Sequence, residues 1–157
     1  MITSSINEIK KELSVLESET LLALCMRLAK YKKENKELLT YLLFEAHNEQ
    51  AYIENIKEEI TELFKTLPSN TYLIKKTLRK ILRTANKHIK YSGIKQTELE
   101  VRIFFCTKMK DAHVPRQQGS VLFNMYQQQI KKINTVLGKL HEDLQGDYLR
   151  EINYISR

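Results

Sequence analysis

Seven lysine and arginine residues between positions 75 and 90 are spaced so that one helix face would carry them all. At 100° per residue they fall within an arc of about 140°, and six aliphatic residues fall on the opposite side. The seven are Lys75, Lys76, Arg79, Lys80, Arg83, Lys87 and Lys90. No acidic residue occurs between Glu62 and Glu98, so pairs three or four residues apart do not neutralise the row. Such a row is suited to the phosphates of nucleic acid or another polyanion.

A different interpretation of the same helix stays open, because the segment before it is acidic. Glu54, Glu58, Glu59 and Glu62 share the outer face of that segment. The two segments are consecutive and expected to be antiparallel, so their charges could pair, each exposed pair contributing about 0–1 kcal/mol. The basic row would then be only a solvated or internally paired face. The protein would in that case be a helical scaffold or adaptor with a protein partner.

Two tyrosines flank the basic row, and their rings are placed to stack on bases if nucleic acid is the ligand. They are Tyr72 and Tyr91. An acidic protein would also suit the row, as would the anionic head groups of a membrane surface. Nucleic acid and an acidic protein are therefore the two expected classes of partner.

Arg102 lies within the most apolar segment of the chain, between Val101 and Ile103. A buried arginine requires a carboxylate partner. Glu45 and Glu49 lie on or near the apolar face of their own segments, and we expect one of them to pair with Arg102. The pair is either a structural ion pair or part of a pocket for an anion.

No motif in the chain indicates catalysis or a bound cofactor. It has no glycine-rich phosphate loop, no Cys-x-x-Cys and no metalloprotease or nucleophile-elbow motif. In Glu45-x-His47-x-Glu49 the histidine lies about 160° from either carboxylate on a helix, which disfavours a shared metal. We therefore expect a binding protein with no cofactor, metal or enzymatic activity.

Helical periodicity runs through almost the whole sequence, and the 157 residues contain only four glycines and two prolines. Few turn residues and repeated three-to-four spacing of apolar residues are typical of helical proteins. We predict one all-α domain spanning residues 1–157, with seven or eight short helices. They would form either an irregular stack of antiparallel hairpins or a compact multi-helix bundle.

Several local signals place the helices. Ser5 and Thr97 each precede a glutamate by three residues and predict capping boxes, and Asn48 and Ser120 predict single caps. The basic helix is predicted over residues 71–90 and should end near Gly93.

Two segments are apolar on nearly all sides and predict buried helices. The helix from about residue 97 should be central, with Ile103 and Phe104 nearly fully buried. The helix of residues 18–30 should be buried on most sides. Cys25 and Cys106 have apolar neighbours, which predicts reduced, buried thiols.

The charge is divided unevenly along the chain. Residues 1–67 hold 9 basic and 12 acidic residues, whereas residues 68–157 hold 17 basic and 7 acidic ones. Such asymmetry bears on the partners of the protein rather than on its fold. No apolar segment is long enough to span a membrane, and no secretory signal is evident, so we expect a cytoplasmic protein.

Overall fold

The computed structural model describes residues 2–114 and 117–157. These residues form eight α-helices without any strand, and 81% of them are helical, which confirms the all-α prediction. A π-helical turn, Tyr41–Glu45, follows the third helix. The helices are α1 (Ile6–Ser14), α2 (Ser18–Tyr31), α3 (Lys33–Thr40), α4 (Glu49–Lys65), α5 (Thr71–Ser92), α6 (Lys95–Asp111), α7 (Val121–Leu137) and α8 (Glu142–Ser156).

Contacts between Cα atoms divide the chain into two compact units, Met1–Phe44 and Glu45–Arg157. The first contains α1 to α3, and the second contains α4 to α8. A single folding domain over residues 1–157 therefore stays a prediction, and an experiment for it is given below.

Most of the predicted helix ends are confirmed. Ser5 and Glu8 form a reciprocal capping box at the start of α1. The side chains of Asn48 and Ser120 cap α4 and α7 by accepting backbone N–H groups. Gly93 ends α5 with a φ of 67°, a conformation that glycine adopts without steric cost.

The capping box predicted at Thr97 is wrong. α6 begins two residues earlier, at Lys95, and no side chain caps it. Thr97 is fully buried, and its hydroxyl donates to Oε1 of Glu49 over 2.5 Å. The hydroxyl bonds to Glu49 because the first turn of α6 faces α4.

The second unit is a compact multi-helix arrangement around α6, which packs against α4, α5, α7 and α8. This confirms α6 as the central helix. Cys106 is buried, as predicted. The most deeply buried apolar side chains of the unit include Ile56, Ile60, Leu78, Ile81, Leu99, Val101, Phe105, Met109, Ile133 and Ile155.

The core prediction is right for Ile103 and wrong for Phe104. Ile103 is only 2% exposed, but Phe104 is half-buried, and Phe105 is the fully enclosed aromatic residue. Phe104 lines a groove together with residues of α4 and α8, and Lys108 Nζ lies 5.2 Å from its ring centroid. These two helices do not close over α6 at that point.

The prediction that α2 is buried on most sides is also wrong. The exposed fractions of Leu22, Met26 and Leu28 are 64%, 48% and 59%, and the thiol of Cys25 is exposed rather than buried. The main packing partner of α2 in the first unit is α3. One neighbouring helix covers only one side, so an apolar circumference by itself does not enclose a helix.

Candidate nucleic-acid interface

The basic helix α5 is fixed at both ends and along one side. The side chain of Asn70 accepts N–H groups from Tyr72 and Leu73 at its start, and Gly93 ends it. On the apolar side Leu78 and Ile81 are completely buried, where α5 packs against α4 and α6. The opposite side is therefore held outward on a rigid helix of 22 residues.

The predicted cations lie on this outward side. Lys76, Arg79, Lys80, Arg83 and Lys90 are exposed, whereas Lys75 and Lys87 are half-buried. The structure thus brings the seven predicted residues together on one face, which we call the basic face of α5.

The acidic residues of α4 are largely engaged elsewhere. Glu54 pairs with Lys57 and Glu62 pairs with Lys65, both within α4. Glu59 reaches α5, but its partner is Nε2 of His88, at 2.8 Å. Across residues 2–114 and 117–157, no ion pair involves Lys75, Lys76, Arg79, Lys80, Arg83 or Lys90.

A groove of about 560 Å³ runs along the basic face. All of its lining residues belong to α5: Tyr72, Lys75, Lys76, Arg79, Leu82, Arg83 and Asn86. Tyr72 is 70% exposed, so its ring is available to a ligand. Tyr91, the other predicted stacking residue, is half-buried, with its ring edge-on to His88.

A second groove of about 440 Å³ continues from the first at the start of α5. It shares Tyr72 and Lys75 with the first groove. Its other walls come from the start of α7 and the turn before it, including Gln117 and Ser120. Tyr72 therefore stands where the two grooves meet.

Arg102 is buried, as expected, but its carboxylate partner is neither Glu45 nor Glu49. It is Glu98, one turn earlier on α6, which lies 2.7 Å from Nη2 and 2.8 Å from Nε. Residues four apart are neighbours on a helix surface, so no other helix has to provide the carboxylate. Glu49 accepts the hydroxyls of Ser92 and Thr97 instead. Glu45 lies in the π-helical turn.

The remaining guanidinium nitrogen of Arg102, Nη1, bonds to one residue of the groove and to one residue of the core. Nη1 donates to Oδ1 of Asn86 at 3.1 Å and to Oε1 of Gln129 at 2.8 Å. Gln129 is 1% exposed, and it is a satisfied buried amide, as its place on the apolar face of α7 predicts. Asn86 lines the groove, so a buried arginine determines how that amide is turned.

A groove larger than these two lies elsewhere in the second unit, between α4, α6 and α8, with a volume of about 770 Å³. Its polar centre is Lys57, whose Nζ lies 3.0 Å from Glu54 and 3.1 Å from Glu100. Tyr148 donates its hydroxyl to Glu100 at 2.9 Å and accepts from Gln96 at 2.9 Å. Sequence reasoning did not find this site, because three distant segments assemble it and none carries a motif.

Lys57 and Tyr148 are two residues of this larger groove whose pKa values shift. Burial alone would lower the pKa of Lys57, but hydrogen bonds to Glu54 and Glu100 and their charges outweigh it and raise that pKa. Burial and the hydrogen bond to Glu100 raise the pKa of Tyr148 to about 12. At neutral pH the lysine is therefore charged and the phenol protonated, and both donate to Glu100.

Two further observations concern the described part of the chain. It contains no group of three or more His, Cys, Asp and Glu side chains arranged to hold a metal ion. None of its helices combines the length and the apolar character needed to cross a membrane. In comparisons with known proteins, no family model matches the chain, and no curated protein or solved structure matches it significantly.

Proposed function

We propose that this protein binds a polyanion, with nucleic acid as the first candidate, through the basic face of α5. One observation carries the proposal. Six cations on a rigidly held helix have no carboxylate partner among the described residues, and four of the seven predicted cations line one groove. The acidic helix that could have neutralised them pairs with its own lysines and with His88.

The spacing of the cations suits an extended anion. A helix of 22 residues is about 33 Å long. Duplex DNA carries about one charge per 1.7 Å of axis, so such a helix can lie along many phosphates at once. Contacts to phosphates carry no sequence information, and we expect binding to be non-specific and sensitive to salt.

The test is a titration with labelled single-stranded and duplex nucleic acid at low and moderate salt. In one variant Arg79, Lys80, Arg83 and Lys87 are all changed to Gln. The apolar side of α5 is untouched and Gln is a good helix former, so this variant should keep the fold. We expect it to lose binding.

A matched control removes the same number of charges from other surfaces. Lys95, Lys131, Lys132 and Lys139 are exposed and form no ion pair in the described structure. Changing these four to Gln should leave most of the binding in place. Equal loss in both quadruple variants, or no binding by the wild type at low salt, would refute the proposal.

A second candidate function is that of an adaptor for a protein partner. The observation in its favour is the apolar surface of the first unit, where Leu22, Leu28, Leu43 and Phe44 are each more than half exposed. Exposed apolar patches mark sites of protein association. If the titrations show no polyanion binding, the basic face is a solvated surface, and the adaptor is the function that remains.

A further inference from the structure

Tyr72 places an exposed aromatic ring beside the lysines at the start of the basic face. Its ring is 70% exposed and lines both grooves. Its backbone N–H is bonded to the Asn70 side chain at 2.9 Å, so the residue begins a fixed helical turn. An aromatic ring held in this way beside Lys75 and Lys76 offers a flat apolar surface next to positive charge.

The uncharged polar residues of the grooves offer donors. Arg102 has only donors, so the amide atom of Asn86 that faces it must be Oδ1. Its Nδ2 has no acceptor among the described residues, and Asn86 itself lines the groove. The Ser120 hydroxyl already accepts from the backbone of Phe123 at 3.1 Å and keeps its proton to donate.

The lining of the two grooves indicates which chemical class of ligand they would bind. Cations and donors line both grooves, and neither lining includes a carboxylate. A ligand rich in acceptors is therefore favoured. The exposed ring of Tyr72 also favours a ligand that contains a flat aromatic group, because aromatic side chains stack on bases of any sequence. In a duplex the faces of the bases are covered by their neighbours, but a single strand leaves them open.

We propose, building on the proposed function, that the ligand is single-stranded nucleic acid. One base stacks on the ring of Tyr72. The phosphates on either side of it bind Lys75, Lys76, Arg79 and Arg83, and Nδ2 of Asn86 donates to the same strand. Arg102 acts as a positioning residue, because its contact with Oδ1 turns the Asn86 donor toward the groove.

The experiment compares three labelled probes of about 12 nucleotides, a length within the range that such surfaces cover. They are a single strand, the duplex of the same sequence, and an abasic strand with the same phosphates. We expect the wild type to bind the single strand about tenfold more tightly than either of the others, since stacking adds to the ionic contacts.

Substitution of Tyr72 separates stacking from charge. Tyr72→Ala should weaken single-strand binding about tenfold, leave abasic and duplex binding nearly unchanged, and keep the salt dependence of wild type. Tyr72→Phe should bind like wild type. Arg79→Gln with Arg83→Gln should instead reduce the log–log salt slope by about 1.4, at about 0.7 per phosphate on a single strand. Tyr31→Ala, which removes a tyrosine that is 74% exposed in the first unit, is the matched control.

The possible failures are distinguishable. Equal affinity for all three probes, with no effect of Tyr72→Ala, would overturn the single-strand inference and leave polyanion binding intact. A preference for the duplex would do the same and identify duplex as the ligand. No binding of any probe at low salt would refute the proposed function, and the single-strand inference with it.

Discussion

The guanidinium of Arg102 donates to Oε1 of Gln129 across a distance of 2.8 Å, inside the second unit. An uncharged amide on α7 thus supplies the acceptor for a cation on α6, and Glu98 supplies the neutralising charge. The contact joins two helices through groups that are 7% and 1% exposed. Removing Gln129 would leave a buried N–H of Arg102 without an acceptor, and removing Arg102 would leave Oε1 of Gln129 without its donor.

Gln129→Leu should lower the free energy of unfolding by about 1–3 kcal/mol, because it leaves a donor of Arg102 unsatisfied. Urea denaturation measures this loss. Gln128→Leu, at an exposed position on the same helix, should have almost no effect. A similar loss in Gln128→Leu would show that the buried contact is not responsible.

Phe105→Ala should cost about 3–5 kcal/mol of unfolding free energy, as large-to-small substitutions in a core do. Phe104→Ala should cost clearly less, about 1–2 kcal/mol, because its half-buried ring removes less apolar surface from water. Chemical denaturation of the two variants side by side provides the measurement. A larger loss of unfolding free energy in Phe104→Ala than in Phe105→Ala would mean that α6 is rotated by about one residue from the orientation described.

The different outcomes for α2 and α6 show where sequence reasoning stops. Both segments are apolar on nearly all sides, and both were predicted to be buried. α6 has four neighbouring helices, whereas α2 has one main partner, and only the former is enclosed. The number of neighbours depends on contacts between distant parts of the chain, which local periodicity does not contain. The same limit explains Phe104, whose exposure depends on where α4 and α8 stand apart.

Part of the candidate site could likewise be predicted from the sequence, and part could not. The basic face could be predicted, because it depends only on the 100° repeat of one helix. The orientation of the Asn86 amide could not be predicted, because it depends on a contact with Arg102 of α6. The position of Arg102 depends in turn on its contacts with Glu98 and Gln129. The sequence alone does not distinguish Glu98, four residues from Arg102 on the same helix, from more distant carboxylates such as Glu49 as its partner.

Tyr148→Phe should change how stability depends on pH. The pKa of Tyr148 is about 12 in the folded protein against an ordinary value of 10.0. Between these values the unfolded chain releases the phenol proton while the folded protein retains it, so wild-type stability should fall as pH rises from about 10 to about 12. The phenylalanine variant lacks this contribution. Its deficit relative to wild type, measured by urea denaturation, should therefore shrink across that window, and a constant deficit would contradict the shifted pKa.

Asn70→Ala should destabilise the protein by about 0.5–2 kcal/mol, because two N–H groups at the start of α5 lose their acceptor. Asn70→Asp should be nearly neutral, since aspartate is an equally good cap. Thermal or urea unfolding followed by circular dichroism distinguishes them. If alanine and aspartate behave alike, the side-chain cap does not contribute to the start of this helix.

Residues 45–157 should fold without the first unit. Their core is formed by α4 to α8, and α6 has its four packing partners within this range. We expect the fragment to retain cooperative urea unfolding with a midpoint close to that of the whole chain. Loss of cooperative unfolding in the fragment would instead support a single domain over the whole sequence.

The central place of α6 has a consequence for the order of synthesis. Two of its packing partners, α4 and α5, leave the ribosome before it, and the other two, α7 and α8, leave after it. Until the last helix has emerged, one side of the helix with the most buried residues is uncovered, a state prone to aggregation. Chains that terminate between α6 and α7 would keep that side exposed permanently, so they should accumulate as insoluble material, unlike the full-length protein.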